Sequence, residues 1–150
     1  MLTARGQPDL ATRAFLSRLS LLLPAAPVVA LVDYNPSGAL ILGTYRGTHA
    51  ASARTAQDGR YGVDVRWLAA RSVDLGAADQ AAHLPLTQRD LVLLNNVLAR
   101  CGDMPAQEGV ARELRAMAAA GCKIELEHLY SQQQELTPLL LHRLLREDYV

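Results

Sequence analysis

The chain has 150 residues, half of them apolar, and its 15 Lys plus Arg balance 15 Asp plus Glu. That length is one domain's worth of sequence and is enough to bury a core. A net charge of zero excludes bulk electrostatic attraction to nucleic acid or to a membrane surface, so any such contact has to come from a local basic patch.

Taken in chain order, "PDLATRAFLSRLSLLL" carries apolar residues at Leu10, Ala14, Leu16, Leu19 and Leu21 to Leu23 and reads as a helix opened by Pro8 and Asp9. Pro24 to Pro27 breaks it. "VVALV" is then a short β-branched run between prolines and an acid, the pattern of a buried parallel strand. Pro36 suits the first turn of a helix capped by Asn35, and "GALILGTYRG" continues that helix to Gly47. Residues 52 to 62 are polar and contain Gly, so they read as an exposed loop. "VDVRWLA" alternates as a second strand with Trp67 at its inner end, and a loop with Asp74 and Gly76 follows.

Thr87 and Asp90 have capping-box spacing and open a helix that places Leu91, Leu94, Val97 and Leu98 on one face. Two further helices, roughly 106 to 120 and 122 to 133, are separated by Gly121, and Thr137-Pro138 starts a last one. The expected fold class is α/β, a small parallel sheet flanked by helices with a helix-rich C-terminal half, in one domain without internal repeats. Cys101 and Cys122 lack CxxC spacing and read as free thiols of a reducing compartment. "MLTARGQPDL" has no apolar signal core, and "LSLLLPAAPVVALV" is too short and too interrupted to span a bilayer. A soluble intracellular protein without a membrane partner is expected.

The most informative stretch is "PVVALVDYNPSGALILGTYRG", where an acid ends a buried strand just before a helix. In open parallel sheets, ligands sit beyond the carboxyl ends of strands. Asp33 there suits a Mg²⁺ ion, with Asn35 offering a neutral oxygen on the same side. The competing reading is that Asp33 and Asn35 simply cap the helix that follows. Glu125 and Glu127, two apart on the expected 122–133 helix, point in different directions. The four histidines, His49, His83, His128 and His142, lack metal-ligand spacing.

Five segments in order, "TARGQPDLATR", "LVDYNPSGALILGTYRG", "VRWLAARSVDL", "LPLTQRD" and "KIELEHL", together resemble the Toprim domain of the topoisomerase VI A-subunit family. That family includes the meiotic transesterase that makes programmed DNA double-strand breaks. Arg5-Gly6-Gln7-Pro8-Asp9 stands where the family has Gly-Lys-Gly-x-Pro-Asp. Asp33, Asn35, Pro36 and Gly38, then Thr44-Tyr45-Arg46, stand where it has Asp-x-Asp-Pro-x-Gly and Thr-Tyr-Lys or Thr-Tyr-Arg. Trp67-Leu68, Ser72 to Leu75, Leu84 to Thr87 and Lys123-x-Glu125-x-Glu127 follow the same pattern, which covers nearly the whole chain. The meiotic branch fits better than the archaeal one.

The resemblance implies a Mg²⁺-assisted, topoisomerase-like cleavage of double-stranded DNA in the nucleus. The protein would act as a homodimer or with a topoisomerase VI B-like partner. It implies Asp33 and Asn35 as the metal contacts. Arg5, Arg13 and Arg46 have two equal readings, as the lining of a DNA groove near Asp33 or as solvated surface arginines. In the family a winged-helix domain carries the nucleophilic tyrosine and a preceding strand carries the Toprim glutamate. Both would precede Met1, so the chain is expected to be a truncated Toprim domain of residues 1–150 that lacks them, and none of Tyr34, Tyr45, Tyr61, Tyr130 and Tyr149 matches the nucleophile. Asn35 replaces the family's second aspartate and removes a unit of charge, so a weak metal site or none is expected. The segment after Arg46, "GTHAASARTAQDGRYG", also departs from the family. On these grounds the chain alone is expected not to cleave DNA. Two other readings stay open: a non-catalytic DNA- or protein-binding or dimerisation module, and an unrelated α/β domain with a phospho-acceptor or small-molecule aspartate.

Overall fold

The computed structural model describes residue 3 and residues 6–48, 60–76, 80–102, 105–130 and 136–150. Helix α1 (Leu10–Leu22) starts where the Asp9 carboxylate accepts the Thr12 N–H at 2.7 Å. Strand β1 (Val28–Leu31) leads to helix α2 (Pro36–Arg46), which has Asn35 as its cap and Pro36 in its first turn. Gly47 ends α2 with φ 72°, a left-handed conformation in which a Cβ would be strained. Strand β2 (Val65–Ala69) follows and pairs parallel to β1, with Ala30 beside Trp67 and Leu31 beside Ala69. That register steps over Leu68. Of the expected loop 52 to 62, residues 52–59 lie outside the described residues.

The second half opens with a two-residue strand β3 (Leu84–Pro85), followed by α3 (Gln88–Cys101) with the full Thr87–Asp90 capping box. Helix α4 (Glu108–Ala120), strand β4 (Cys122–Lys123), the short α5 (Leu126–Tyr130) and α6 (Leu136–Leu145) complete the chain. Leu94 and Val97 of α3 and Val110, Leu114 and Met117 of α4 bury against Leu42 of α2 and Trp67 of β2, forming one core. Helix α1 contributes only Leu16 to that core. Its Phe15, Leu21 and Leu22 remain 56%, 79% and 76% exposed.

Two local expectations fail, and the reasons are tertiary. Residues 122–125 do not begin a helix. Cys122–Lys123 pairs antiparallel with β3, and Ile124 exchanges both backbone bonds with Tyr34 at 2.9 and 3.0 Å. Pairing partners far along the chain override a local helical preference. Asp74, expected in a loop, is 3% exposed. It sits in a 3₁₀ turn (Ser72–Asp74), takes the Arg71 N–H at 2.8 Å and pairs bidentately with Arg143 of α6.

This ion pair ties the C-terminal segment to the sheet. Arg143 also donates to the Leu68 carbonyl at 3.1 Å, and Arg71 donates to Asp148 at 2.6 Å, a bond that holds the Asp148 carboxyl below its usual range. Beyond α6 the chain returns to β2, where Val150 and Trp67 exchange backbone bonds. A Cβ on Gly109 would strike the Val150 side chain, so the bare glycine lets α4 and the C-terminal residues meet. Removing one partner of a buried pair strands the other charge. Asp74→Ala should therefore lower stability by about 3–5 kcal/mol in urea unfolding followed by circular dichroism. A loss below about 1 kcal/mol, the range of a surface pair, would contradict this role.

Candidate functional site

The carboxyl end of β1 is built by side-chain alternation. Backbone pairing with β2 continues one residue past the strand, through Val32 N–H to Ala69 O at 2.8 Å and Ala70 N–H to Val32 O at 2.7 Å. Tyr34 then turns fully inward. Its ring lies 6.3 Å from that of Trp67, and its hydroxyl donates to the Glu113 carbonyl at 3.3 Å. Burial, reinforced by the charge of Glu113, raises its phenol pKa, so it stays a neutral core residue. Because successive residues of extended chain face opposite ways, Asp33 and Asn35 point together to the other side, and both are half-buried.

Each of the two has a structural task there. The Asn35 side-chain oxygen accepts the Gly38 N–H at 2.8 Å, capping α2. Asp33 Oδ1 accepts the Leu126 N–H at 2.8 Å, meeting the first residue of α5 across 93 positions of sequence. The Asn35 amide nitrogen faces Asp33 Oδ2 at 3.5 Å, a long contact. Gly38 closes the arrangement from below, since a Cβ there would collide with the Asp33 carbonyl oxygen.

Magnesium takes oxygen ligands at short range and favours carboxylates together with water and phosphate. Here one Asp33 oxygen and the Asn35 oxygen are already committed to backbone N–H groups. The remaining Asp33 oxygen faces an amide N–H₂, which repels a cation. The neighbouring acid is Glu125, opposite Asp33 across the Tyr34–Ile124 bridge. Among the described residues no three or more His, Cys, Asp and Glu side chains cluster to hold a metal. The donor set at the strand tip therefore does not fit a protein-built divalent site.

Of the expected basic residues, Arg46 is engaged with backbone groups at the opening of β2 and near the C-terminus. Arg46 Nε donates to Val65 O at 2.7 Å, while its terminal nitrogens reach Val150 O at 3.1 Å and Ala106 O and Gln107 at 3.4 Å. Burial lowers its pKa. Arg13 is 6% exposed, and Arg5 lies outside the described residues. Glu125 precedes α5 and Glu127 lies within it, exposed. Lys123 bridges to Asp90 at 2.8 Å, joining β4 to the start of α3. Sequence reasoning missed the Leu126 N–H as Asp33's partner. The alternation Lys123-Ile124-Glu125-Leu126, with apolar residues at every second position, was the available signal for extended chain there.

The family model for the Toprim domain of the topoisomerase 6 A-subunit and Spo11 proteins matches residues 1–143. The meiotic recombination protein SPO11-2 of Oryza sativa subsp. indica is 36% identical over 151 residues, covering 100% of this chain and 38% of the relative. SPO11-2 of Arabidopsis thaliana is 35% identical over 129 residues, covering 86% and 32% of the two chains. The A3 form of the DNA topoisomerase 6 A-subunit of Oryza sativa subsp. indica is 36% identical over 156 residues, covering 100% and 34%. The chain thus spans about a third of the length of these relatives. Among the described residues no helix is long and apolar enough to cross a membrane.

Capping and close packing make a prediction for two neighbours, both destabilising but unequal. Asn35→Ala should cost about 1 kcal/mol through loss of the cap. Gly38→Ala raises helix propensity by up to about 1 kcal/mol, yet it should destabilise more than Asn35→Ala because the new methyl group displaces the Asp33 carbonyl. Thermal unfolding of both variants checks this, and a stabilised Gly38→Ala would contradict the packing described.

Proposed function

The chain belongs to the Toprim family of topoisomerase 6 A-subunits and Spo11 proteins, and on that footing we propose that it serves a DNA transesterase of meiotic recombination. Its place is in the nucleus, on double-stranded DNA, in a homodimer or with a topoisomerase VI B-like partner. The observation that carries the proposal is the match of the whole chain to a meiotic recombination protein at 36% identity.

In this reading a tyrosine hydroxyl supplied outside the matched region attacks a backbone phosphorus. A phosphotyrosyl bond forms and the bond to the sugar 3′-oxygen breaks, that oxygen leaving with a proton. The family's Mg²⁺ would neutralise charge developing on the phosphate oxygens, but the donor set at Asp33 gives no basis for routing a step through it here. What this chain's own residues do is structural and positional. Asp33, Asn35 and Gly38 fix the ends of β1, α2 and α5 on the face where a ligand of a parallel sheet would lie. Of the three arginines expected along DNA, Arg5 remains the candidate for phosphate contact. Arg46 is half-buried and held by backbone carbonyls, and Arg13 is buried, which leaves each less open to a phosphate.

A second reading, a non-catalytic DNA- or protein-binding or dimerisation module of the same family, is favoured by one feature, the amide of Asn35 facing Asp33. Meiotic double-strand breaks counted with and without the encoding gene test the proposal. Breaks that fall when the gene is lost support it, and unchanged breaks contradict it. Restoring the gene with Asp33→Asn, which keeps an oxygen for the Leu126 N–H but loses the charge, separates the two readings. Breaks that stay low place Asp33 in the cleaving machinery, and breaks that return favour the module.

A further inference from the structure

We infer that the side-chain amide of Asn35 takes the position a cation would occupy, making the tip of β1 a metal-independent clasp. The orientation of the amide follows from the helix it caps. The Gly38 N–H needs an acceptor and lies 2.8 Å from Asn35 Oδ1, so the carbonyl end faces α2. The N–H₂ end is thereby turned toward Asp33 Oδ2, at 3.5 Å. On the other side Asp33 Oδ1 holds the Leu126 N–H at 2.8 Å. The carboxylate then has a backbone donor on one oxygen and a side-chain donor facing the other, and both come from protein.

The charge around the pair is consistent with this. With an amide at 35 the pair itself supplies one carboxylate, Asp33, and a dication bound there would have to displace the amide. Glu125, half-buried across the bridge, is the second acid of the neighbourhood, and Glu127 is exposed on α5. Lys123, the cation of the same strand, is drawn away to Asp90 at 2.8 Å. The clasp joins β1, α2 and α5 without a metal. It concerns the purified chain and does not depend on what the larger assembly does to DNA.

The test is Mn²⁺ and Mg²⁺ titration of the purified 150-residue chain, read by calorimetric unfolding and, for Mn²⁺, by paramagnetic resonance of the free ion. The wild-type chain should unfold at the same temperature in EDTA and in millimolar divalent cation. Asn35→Asp keeps an oxygen to cap Gly38 but sets two carboxylates face to face. It should unfold at lower temperature in EDTA, recover when cation is added, and bind Mn²⁺ at least about tenfold more tightly than wild type. Asn35→Ser keeps a capping oxygen and removes the amide, and it should show a smaller gain of the same sign. Saturable Mn²⁺ binding by the wild-type chain that Asp33→Asn abolishes would overturn the inference. If Glu125→Gln also abolished it, Glu125 would be the second ligand. No gain of binding in either Asn35 variant would overturn it equally.

Discussion

One hydrogen bond, from the Leu126 N–H to the Asp33 carboxylate, closes the tip of the sheet and joins the two halves of the chain. Around it stand the Tyr34–Ile124 bridge, the Asn35 cap of α2 and the close approach of Gly38 to the Asp33 carbonyl. These features constrain one another. Tyr34 points inward against Trp67 because Asp33 and Asn35 point outward. The outward pair can hold two helix N-termini only because Gly38 lets α2 begin directly beneath the strand. A segment whose position is set by so many partners has little freedom to rearrange around a ligand.

The second constraint is how the chain uses its arginines. Arg71 and Arg143 are 3% and 5% exposed, and Arg46 satisfies carbonyls from three separate segments. A guanidinium is a planar fork of five donors, suited to gathering several acceptors at once. Here it joins β2, the turn at Asp74 and the C-terminal residues. In a chain of zero net charge, arginines held inside are not available to a phosphate backbone. The proposed contact with DNA would then rely on other residues.

Much of the architecture was legible in the sequence because its signals are local. Asp9, Asn35 with Pro36, and the Thr87–Asp90 box mark three helix starts where the structure has them. The apolar run ending at Asp33 and the alternation around Trp67 gave the two parallel strands. The family pattern was legible as well, since its segments recur in order along the chain. What was not legible depends on distant partners. The pairing of Cys122 to Ile124 needs β3 and Tyr34, which lie 37 or more residues earlier. The burial of Asp74 needs Arg143, 69 residues later. Nothing nearby in sequence announces the burial of Arg13 or the partial burial of Arg46. At the strand tip the sequence held two readings open, cation ligand or helix cap. The cap is observed at Asn35, while Asp33 serves a more distant helix, α5.

The most direct test of this account is amide hydrogen exchange at Leu126, compared between the wild-type chain and Asp33→Ala. An N–H held by the Asp33 carboxylate should exchange slowly in the wild type and much faster in the variant, while the amides of α3 and α4 stay protected. Leu126 exchange that is equally fast in both proteins would show that the strand-tip clasp does not form.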